Sequence, residues 1–382
     1  MADKRKLFEE VGDQTPTRPD VRTGLISKDL APARRWTRAW LIVLFVLVVS
    51  MIALGGLTRL TDSGLSITEW EPVTGALPPM DAAAWDRAFE LYRQIPEYQL
   101  QNRGMTLEEF KVIYWWEWGH RQLGRFIGLV WAAGFLGLTL ARRVPPGWTG
   151  RLLLLGGLGG LQGAIGWWMV SSGLTGTMLD VASYRLAVHL GLAFVILGVI
   201  AWFVYRLSRD NVDLLQARRN SERKLWGMST GLLHLAFLQI LLGALVAGID
   251  AGRSFTDWPL MAGSFVPPNA FDISPAWRNF FENPGLVQFV HRVTGYLFII
   301  YALVVWRASR RSGNEATRRA FDWVLVISFG QIVLGIGTVL YAAPLSLAII
   351  HQFGAVVLWS LILRARFLSR YPLAQLVRGA SQ

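Results

Sequence analysis

The sequence predicts an all-α polytopic membrane protein: eight transmembrane helices forming two pseudo-twofold-related four-helix bundles, with both termini in the cytoplasm. Three observations carry that prediction. The chain is too apolar for a typical soluble protein, with 53% hydrophobic residues among 382 and a mean hydropathy of +0.36, and its apolar residues fall in long blocks. Basic residues alternate between successive connections. The polar landmarks of the first half recur in the second.

About 20 apolar residues cross a bilayer as a helix, and a spanning segment must satisfy its own backbone hydrogen bonds. The blocks lie near 38–57, 121–141, 151–171, 185–205, 226–248, 288–307, 321–341 and 345–364. The chain therefore divides into a tail (1–37), a first half (38–206), a linker (207–225), a second half (226–366) and a C-terminal tail (367–382).

A net charge of +12 is compatible with a nucleic-acid binder, but its distribution argues otherwise. Lys4, Arg5, Lys6, Arg18, Arg22, Lys28, Arg34, Arg35 and Arg38 precede the first block. Arg142, Arg143 and Arg151 follow the second; Arg206, Arg209, Arg218, Arg219, Arg223 and Lys224 follow the fourth. Arg307, Arg310, Arg311, Arg318 and Arg319 follow the sixth, and Arg364, Arg366, Arg370 and Arg378 the eighth. The alternate connections differ: 58–119 is acidic overall, 172–184 holds only Asp180, and 342–344 has no charge. This positive-inside pattern places both termini in the cytoplasm, as an even number of spans requires.

There is no cysteine, which excludes disulfides and thiolate metal sites. The N-terminus, with Asp3, Glu9, Glu10, Asp13 and Asp20, fits neither a transit peptide nor a signal peptide. A bacterial inner membrane is the expected location.

The duplication is legible in three places. Gly55 to Pro79 matches Gly243 to Pro268: Asp62 and Gly64 align with Asp250 and Gly252, Thr68 and Trp70 with Thr256 and Trp258, and Gly75 with Gly263. His120-Arg121-Gln122-Leu123-Gly124 matches His291-Arg292-Val293-Thr294-Gly295. Leu186-Ala187-Val188-His189 matches Leu347-Ala348-Ile349-Ile350-His351. Four spans return the chain to its starting side, so the repeats share one orientation about an axis along the membrane normal. In the connection 81–116, Trp85, Phe89, Leu91 and Tyr92, then Leu107, Phe110 and Tyr114, recur at helical spacing, predicting one or two amphipathic surface helices. The matching connection of the second half, rich in proline and aromatics, predicts an ordered loop.

His120, His189, His291 and His351 fall at equivalent depth, two per repeat, towards the outer face. A polar ring in an apolar bundle is costly without a partner. A single such histidine reads as a hydrogen-bonding residue between helices; four at one depth read as two sites. Paired imidazoles without cysteine or clustered carboxylates suit axial heme ligation better than zinc or a di-iron centre. His234 has no repeat counterpart and reads as structural. Glu117 lies three residues before His120 and shares its face if the helix begins that early; its counterpart is Gln288. A carboxylate at one site alone points to a proton acceptor there, the alternative being a solvated acid at a helix N-terminus. Arg121 and Arg292, with Arg125 a turn on, are candidates for heme propionates or for interfacial snorkelling. The tryptophans fit an aromatic belt, and those in Trp115-Trp116-Glu117-Trp118 are also placed to wall a heme pocket.

The stretches GGLTRLTDSGLSITEWEPVTGALPP and PEYQLQNRGMTLEEFKVIYWWEWGHRQLGR, with the histidine pairs, resemble the heme A synthase family over residues 38–366, most of all its cysteine-free class in proteobacteria and mitochondria. The resemblance implies oxidation of the C8 methyl of heme O to the formyl of heme A, the cofactor of aa3-type cytochrome oxidase. It implies a heme b on His291 and His351, a substrate heme between His120 and His189, and an essential carboxylate at Glu117. It also implies heme O as substrate, heme A as product, membrane lipids around the chain, an electron acceptor, and heme O synthase and oxidase assembly factors as partners; nucleic acid is not expected. Two other readings compete: a diheme b-type membrane electron carrier, which would keep two hemes b, and a transporter built on the same duplication, which would hold none.

Overall fold

A computed structural model describes residues 30–176 and 178–374. The tail residues up to Lys28, and Arg378, lie outside the described residues. The order is α1 Ala31–Leu60, α2 Ala82–Arg93, α3 Pro96–Leu100, α4 Leu107–Leu140, α5 Thr149–Val170, α6 Ser183–Leu207, α7 Asn211–Arg219, α8 Arg223–Gly248, α9 Asn279–Glu282, α10 Pro284–Ser309, α11 Glu315–Leu340 and α12 Leu345–Arg370. Among the described residues, eight helices are long and apolar enough to cross a membrane: α1, α4, α5, α6, α8, α10, α11 and α12. The chain is thus a multi-pass helical membrane protein.

Local chemistry explains where the helices start. Pro284 occupies the first turn of α10, where its missing N–H costs nothing, and Asn283 caps that turn by accepting from the Leu286 N–H. Asn314 does the same for α11 through Thr317. Two differences from the sequence reading share one cause. The second span was expected from 121, with Leu107, Phe110 and Tyr114 on a surface helix. In the structure α4 begins at Leu107, because Thr106 and Glu109 form a capping box and no proline interrupts the run after it. The surface helices are α2 and the short α3 alone. Similarly α1 begins seven residues before 38, in the segment read as tail, and α12 runs to Arg370. The linker holds α7, capped by Asp210 and tied by Arg209 to the backbone carbonyl of Tyr371 at 2.7 Å.

The core lies where the two halves meet. α6 packs on α8 and α12, and α1 on α6 and α12, burying Leu41, Leu44, Phe194, Leu197, Leu232 and Ile362. Gly191 admits Leu241 and Phe237, and Gly198 admits Trp359. Outward faces of α4 and α11 stay apolar and exposed, as at Leu129, Leu136, Val326 and Val333, which suits lipid. The Gln352 amide crosses the halves, donating to the Ile52 carbonyl at 2.7 Å.

The aligned segments also share backbone detail. Asp62 and Asp250, each just past a spanning helix, both sit in the left-handed region at φ 48° and 50°. Asp tolerates this conformation better than branched residues do. Arg59, at the end of α1, bridges the halves at this point. It donates to Asp62 at 2.9 Å, Asp180 at 3.3 Å and Asp250 at 3.0 Å.

Candidate functional site: two imidazole pairs

The structure brings the four histidines together two by two. His120 on α4 lies within electrostatic reach of His189 on α6, and His291 on α10 of His351 on α12. All four rings lie at the end of the bundle that carries the long connections, and each is only partly accessible. His234, by contrast, turns its Nδ1 back to its own helix, 2.9 Å from the Thr230 carbonyl.

Each ring is seated against a glycine of a neighbouring helix. A Cβ built on Gly55 would lie 3.1 Å from Nε2 of His120, and one on Gly166 2.9 Å from Cε1 of His189. On Gly243 it would lie 3.2 Å from Cε1 of His291, and on Gly335 3.3 Å from Cε1 of His351. Helix backbone therefore approaches each imidazole more closely than a side chain would allow. Two amides join these seats. The Gln162 Nε2 lies 3.1 Å from Nδ1 and 3.2 Å from Nε2 of His189 and donates to that residue's carbonyl at 3.0 Å. The Gln239 Nε2 takes the same position on His291, at 3.2 and 3.3 Å, with its carbonyl at 3.1 Å.

Glu117 is only 3% exposed and lies ten residues into α4, which removes the reading of a solvated acid at a helix start. Its Oε2 accepts from the Ser66 hydroxyl and the Ile67 N–H, both at 2.8 Å. Its Oε1 accepts from Arg121 Nε at 3.0 Å and Nη2 at 2.6 Å. The carboxylate is thus fixed by three neighbours, one turn from His120. In the second half the Gln288 amide donates to the Phe255 carbonyl at 3.0 Å, while its Oε1 and the Arg292 Nε are buried without partners.

The two arginines play matching parts. Arg121 Nη2 donates to the Ile67 carbonyl at 2.7 Å and Nη1 to that of Glu69 at 3.2 Å. Arg292 donates to the equivalent carbonyls, Phe255 and Asp257, both at 2.9 Å. Their first task is to hold the returning loop over the site. Arg125 holds the carbonyls of Glu71 and Pro72.

Three groups here were missed in the sequence reading. Gln162 and Gln239 each stand four residues before a seating glycine, and this Gln-x-x-x-Gly spacing was the available signal. Glu97 on α3 has no such signal. Its side chain is buried, with Oε2 unpartnered. Burial raises its pKa to about 8, with Asp180, Asp62 and Glu117 adding to the rise and Arg59 opposing it. The native state therefore holds that proton after the unfolded chain has lost it. Stability falls as pH rises from the usual carboxylate range through about 8. Glu97→Gln should flatten that fall, worth on the order of a few kcal/mol between about pH 5 and about pH 9, in thermal unfolding of the detergent-solubilised protein.

The donor set fits heme. Each pair offers imidazole nitrogens only, on facing helices, with glycine clearing the rings. His351 Nδ1, Arg292 Nε and Arg125 Nη1 are buried donors or acceptors still without partners, and two of them are cations suited to a carboxylate.

Fold and site define a multi-pass helical membrane protein with two imidazole pairs carried on candidate spanning helices. Residues 38–363 match the family model described as cytochrome oxidase assembly protein, COX15-CtaA, and the chain belongs to that family. It is 66% identical to a protein named heme A synthase from Dinoroseobacter shibae over 381 residues, covering 100% of both chains. It is 64% identical to the protein of that name from Roseobacter denitrificans, over 99% of this chain and 100% of the relative. With that of Paracoccus denitrificans it shares 60%, over 98% and 99%.

Proposed function

We propose that this chain is a heme A synthase, which oxidises the C8 methyl of heme O to the formyl group of heme A. The observation that carries the reading is the inequality of two otherwise matching sites: Glu117 stands beside His120, and Gln288 beside His291. Relatives named for the activity, at up to 66% identity over the full length, support it. His291 and His351 would hold a resident heme b, and His120 and His189 would flank the substrate heme. Held by His291 and His351, a heme b would supply electron relay from the substrate towards an external acceptor.

The remaining steps belong to this chain's side chains. Arg121 holds Glu117 as one partner of an ion pair and, with Ser66 and Ile67, aims its carboxylate. Glu117 accepts the proton released as the methyl is oxidised, or orders the water that adds to the carbon. Arg121 and Arg292 keep the loops closed over the two sites, and the unpartnered Nε of Arg292 is free for a propionate. The protein would sit in a bacterial inner membrane with termini in the cytoplasm and both sites towards the periplasm. Heme O synthase and oxidase assembly factors are its expected neighbours. Expression in a host that makes heme O but no heme A tests the activity: heme A should appear among the extracted hemes, and its absence alongside well-folded protein would remove the reading.

A further inference from the structure

α1 and α4 part near their basic ends. Between them runs an open apolar groove of about 410 Å³, lined by Trp36, Trp40 and Val43 of α1 and by Gly134, Gly137 and Leu138 of α4. That volume lies within the range of small-ligand clefts. The floor is held in place. The Trp40 indole lies across the α4 backbone and donates to the Val130 carbonyl at 3.0 Å. Gly134 makes room for it, since a Cβ there would overlap the ring, while Gly137 has open space in front of it.

The second half closes this place. In the register that aligns His120 with His291, Gly134 and Gly137 become Val305 and Ala308, and Val305 is fully buried. In the register that aligns Gly55 with Gly243, Trp36 and Trp40 become Lys224 and Met228. The duplication therefore does not account for the groove, which belongs to the first half.

Its mouth is cationic. The Arg143 guanidinium lies 5.4 Å from the centre of the Trp36 ring. The Thr37 hydroxyl donates to the Arg143 carbonyl at 3.2 Å, so the turn after α4 is fastened to α1. Arg142 sits in the left-handed region at φ 55°, its N–H on the Thr139 carbonyl and that of Arg143 on the Leu138 carbonyl. Helices usually leave this terminal position to glycine, and a bulky side chain there is strained. Both arginines are exposed. An arginine kept under strain beside a second one, where an apolar groove opens, points to an anionic ligand with an apolar tail.

We propose that the groove binds one anionic phospholipid of the cytoplasmic leaflet, with an acyl chain against Trp40 and Gly137 and the phosphate on Arg142 and Arg143. The positive-inside pattern puts this end of both helices in that leaflet, where basic pockets between spanning helices take anionic headgroups. Trp36 stands at the level that amphipathic rings favour. From Trp36 to Val43 the groove follows about 10 Å of helix axis, so it takes the part of the chain nearest the headgroup. The site lies at the opposite end of the bundle from the imidazole pairs and is independent of the heme reading.

The full-length protein, stripped of lipid in detergent, is given dioleoyl-phosphatidylglycerol or dioleoyl-phosphatidylcholine. Native mass spectrometry counts the lipid retained, and thermal unfolding reports its effect. The parent should keep one phosphatidylglycerol per chain and prefer it to phosphatidylcholine by about tenfold or more. Gly137→Leu places a side chain in the groove and should weaken phosphatidylglycerol binding by about tenfold or more. Arg142→Gly relieves the backbone, so the lipid-free variant should melt no earlier than the parent. It should still lose about fivefold in affinity for phosphatidylglycerol. Equal binding of the two lipids by the parent, or parental affinity in Gly137→Leu, would overturn the inference. If Gly137→Leu does not fold, Arg142→Gly decides alone: weakened binding supports the site, and unchanged affinity ends it. Displacement of the bound phosphatidylglycerol on loading heme O would give the groove to the farnesyl chain of the substrate and overturn the inference as well.

Discussion

Glu117→Gln is expected to abolish heme A formation, by about 10²–10⁴-fold, while heme b stays bound with its ordinary spectrum. The substitution removes the charge and the proton-accepting capacity but keeps the size of the side chain. It also copies the second half, where Gln288 sits fully buried at the same place with its amide on the loop carbonyl. The fold therefore already tolerates glutamine there. Glu117→Ala is a harsher change. It strands the Ile67 N–H and removes the carboxylate from the Ser66 hydroxyl and the Arg121 guanidinium, which keep only backbone carbonyls as acceptors. Breaking a buried pair from one side costs about 3–5 kcal/mol, so that variant should also melt earlier. Comparing the two separates chemistry from loop closure. Heme A made at the parental rate by Glu117→Gln would end the catalytic role of this residue.

The second large effect concerns the histidines. His291→Ala and His351→Ala should each lose the low-spin heme b spectrum, because each removes an imidazole proposed to hold that heme and alanine offers nothing in its place. His120→Ala and His189→Ala should keep heme b and lose heme A formation. The expected split follows the structure, in which His120 lies within electrostatic reach of His189, and His291 of His351. Heme b retained in both second-half variants, and lost in the first-half ones, would exchange the roles of the halves.

Much of this was legible in the sequence because the relevant physics is local or periodic. The apolar blocks correspond to the eight candidate spans, since length and hydropathy alone decide whether a helix can cross a bilayer. Histidine pairing could be read from the repeat, because His120 and His189 recur as His291 and His351. What escaped depends on contacts between distant segments. Arg59 and Asp250 are 191 residues apart in sequence yet lie 3.0 Å apart, and a single arginine serves both halves. Its repeat counterpart is Ala247, so the duplication gave no hint. The start of α4 was misplaced because hydropathy drops at Glu108, Glu109 and Lys111, although the capping box holds the helix intact. Glu97 became notable only once folding buried it beside Asp180 and Asp62. The amides of Gln162 and Gln239 read as ordinary polar residues until their rings were in place.

The pigment content per chain tests the central claim most directly. Protein purified from a host that makes heme O should carry one heme b per chain, together with heme O or heme A at the other site. Two hemes b per chain, with neither heme O nor heme A, would contradict the account and leave a diheme electron carrier in its place.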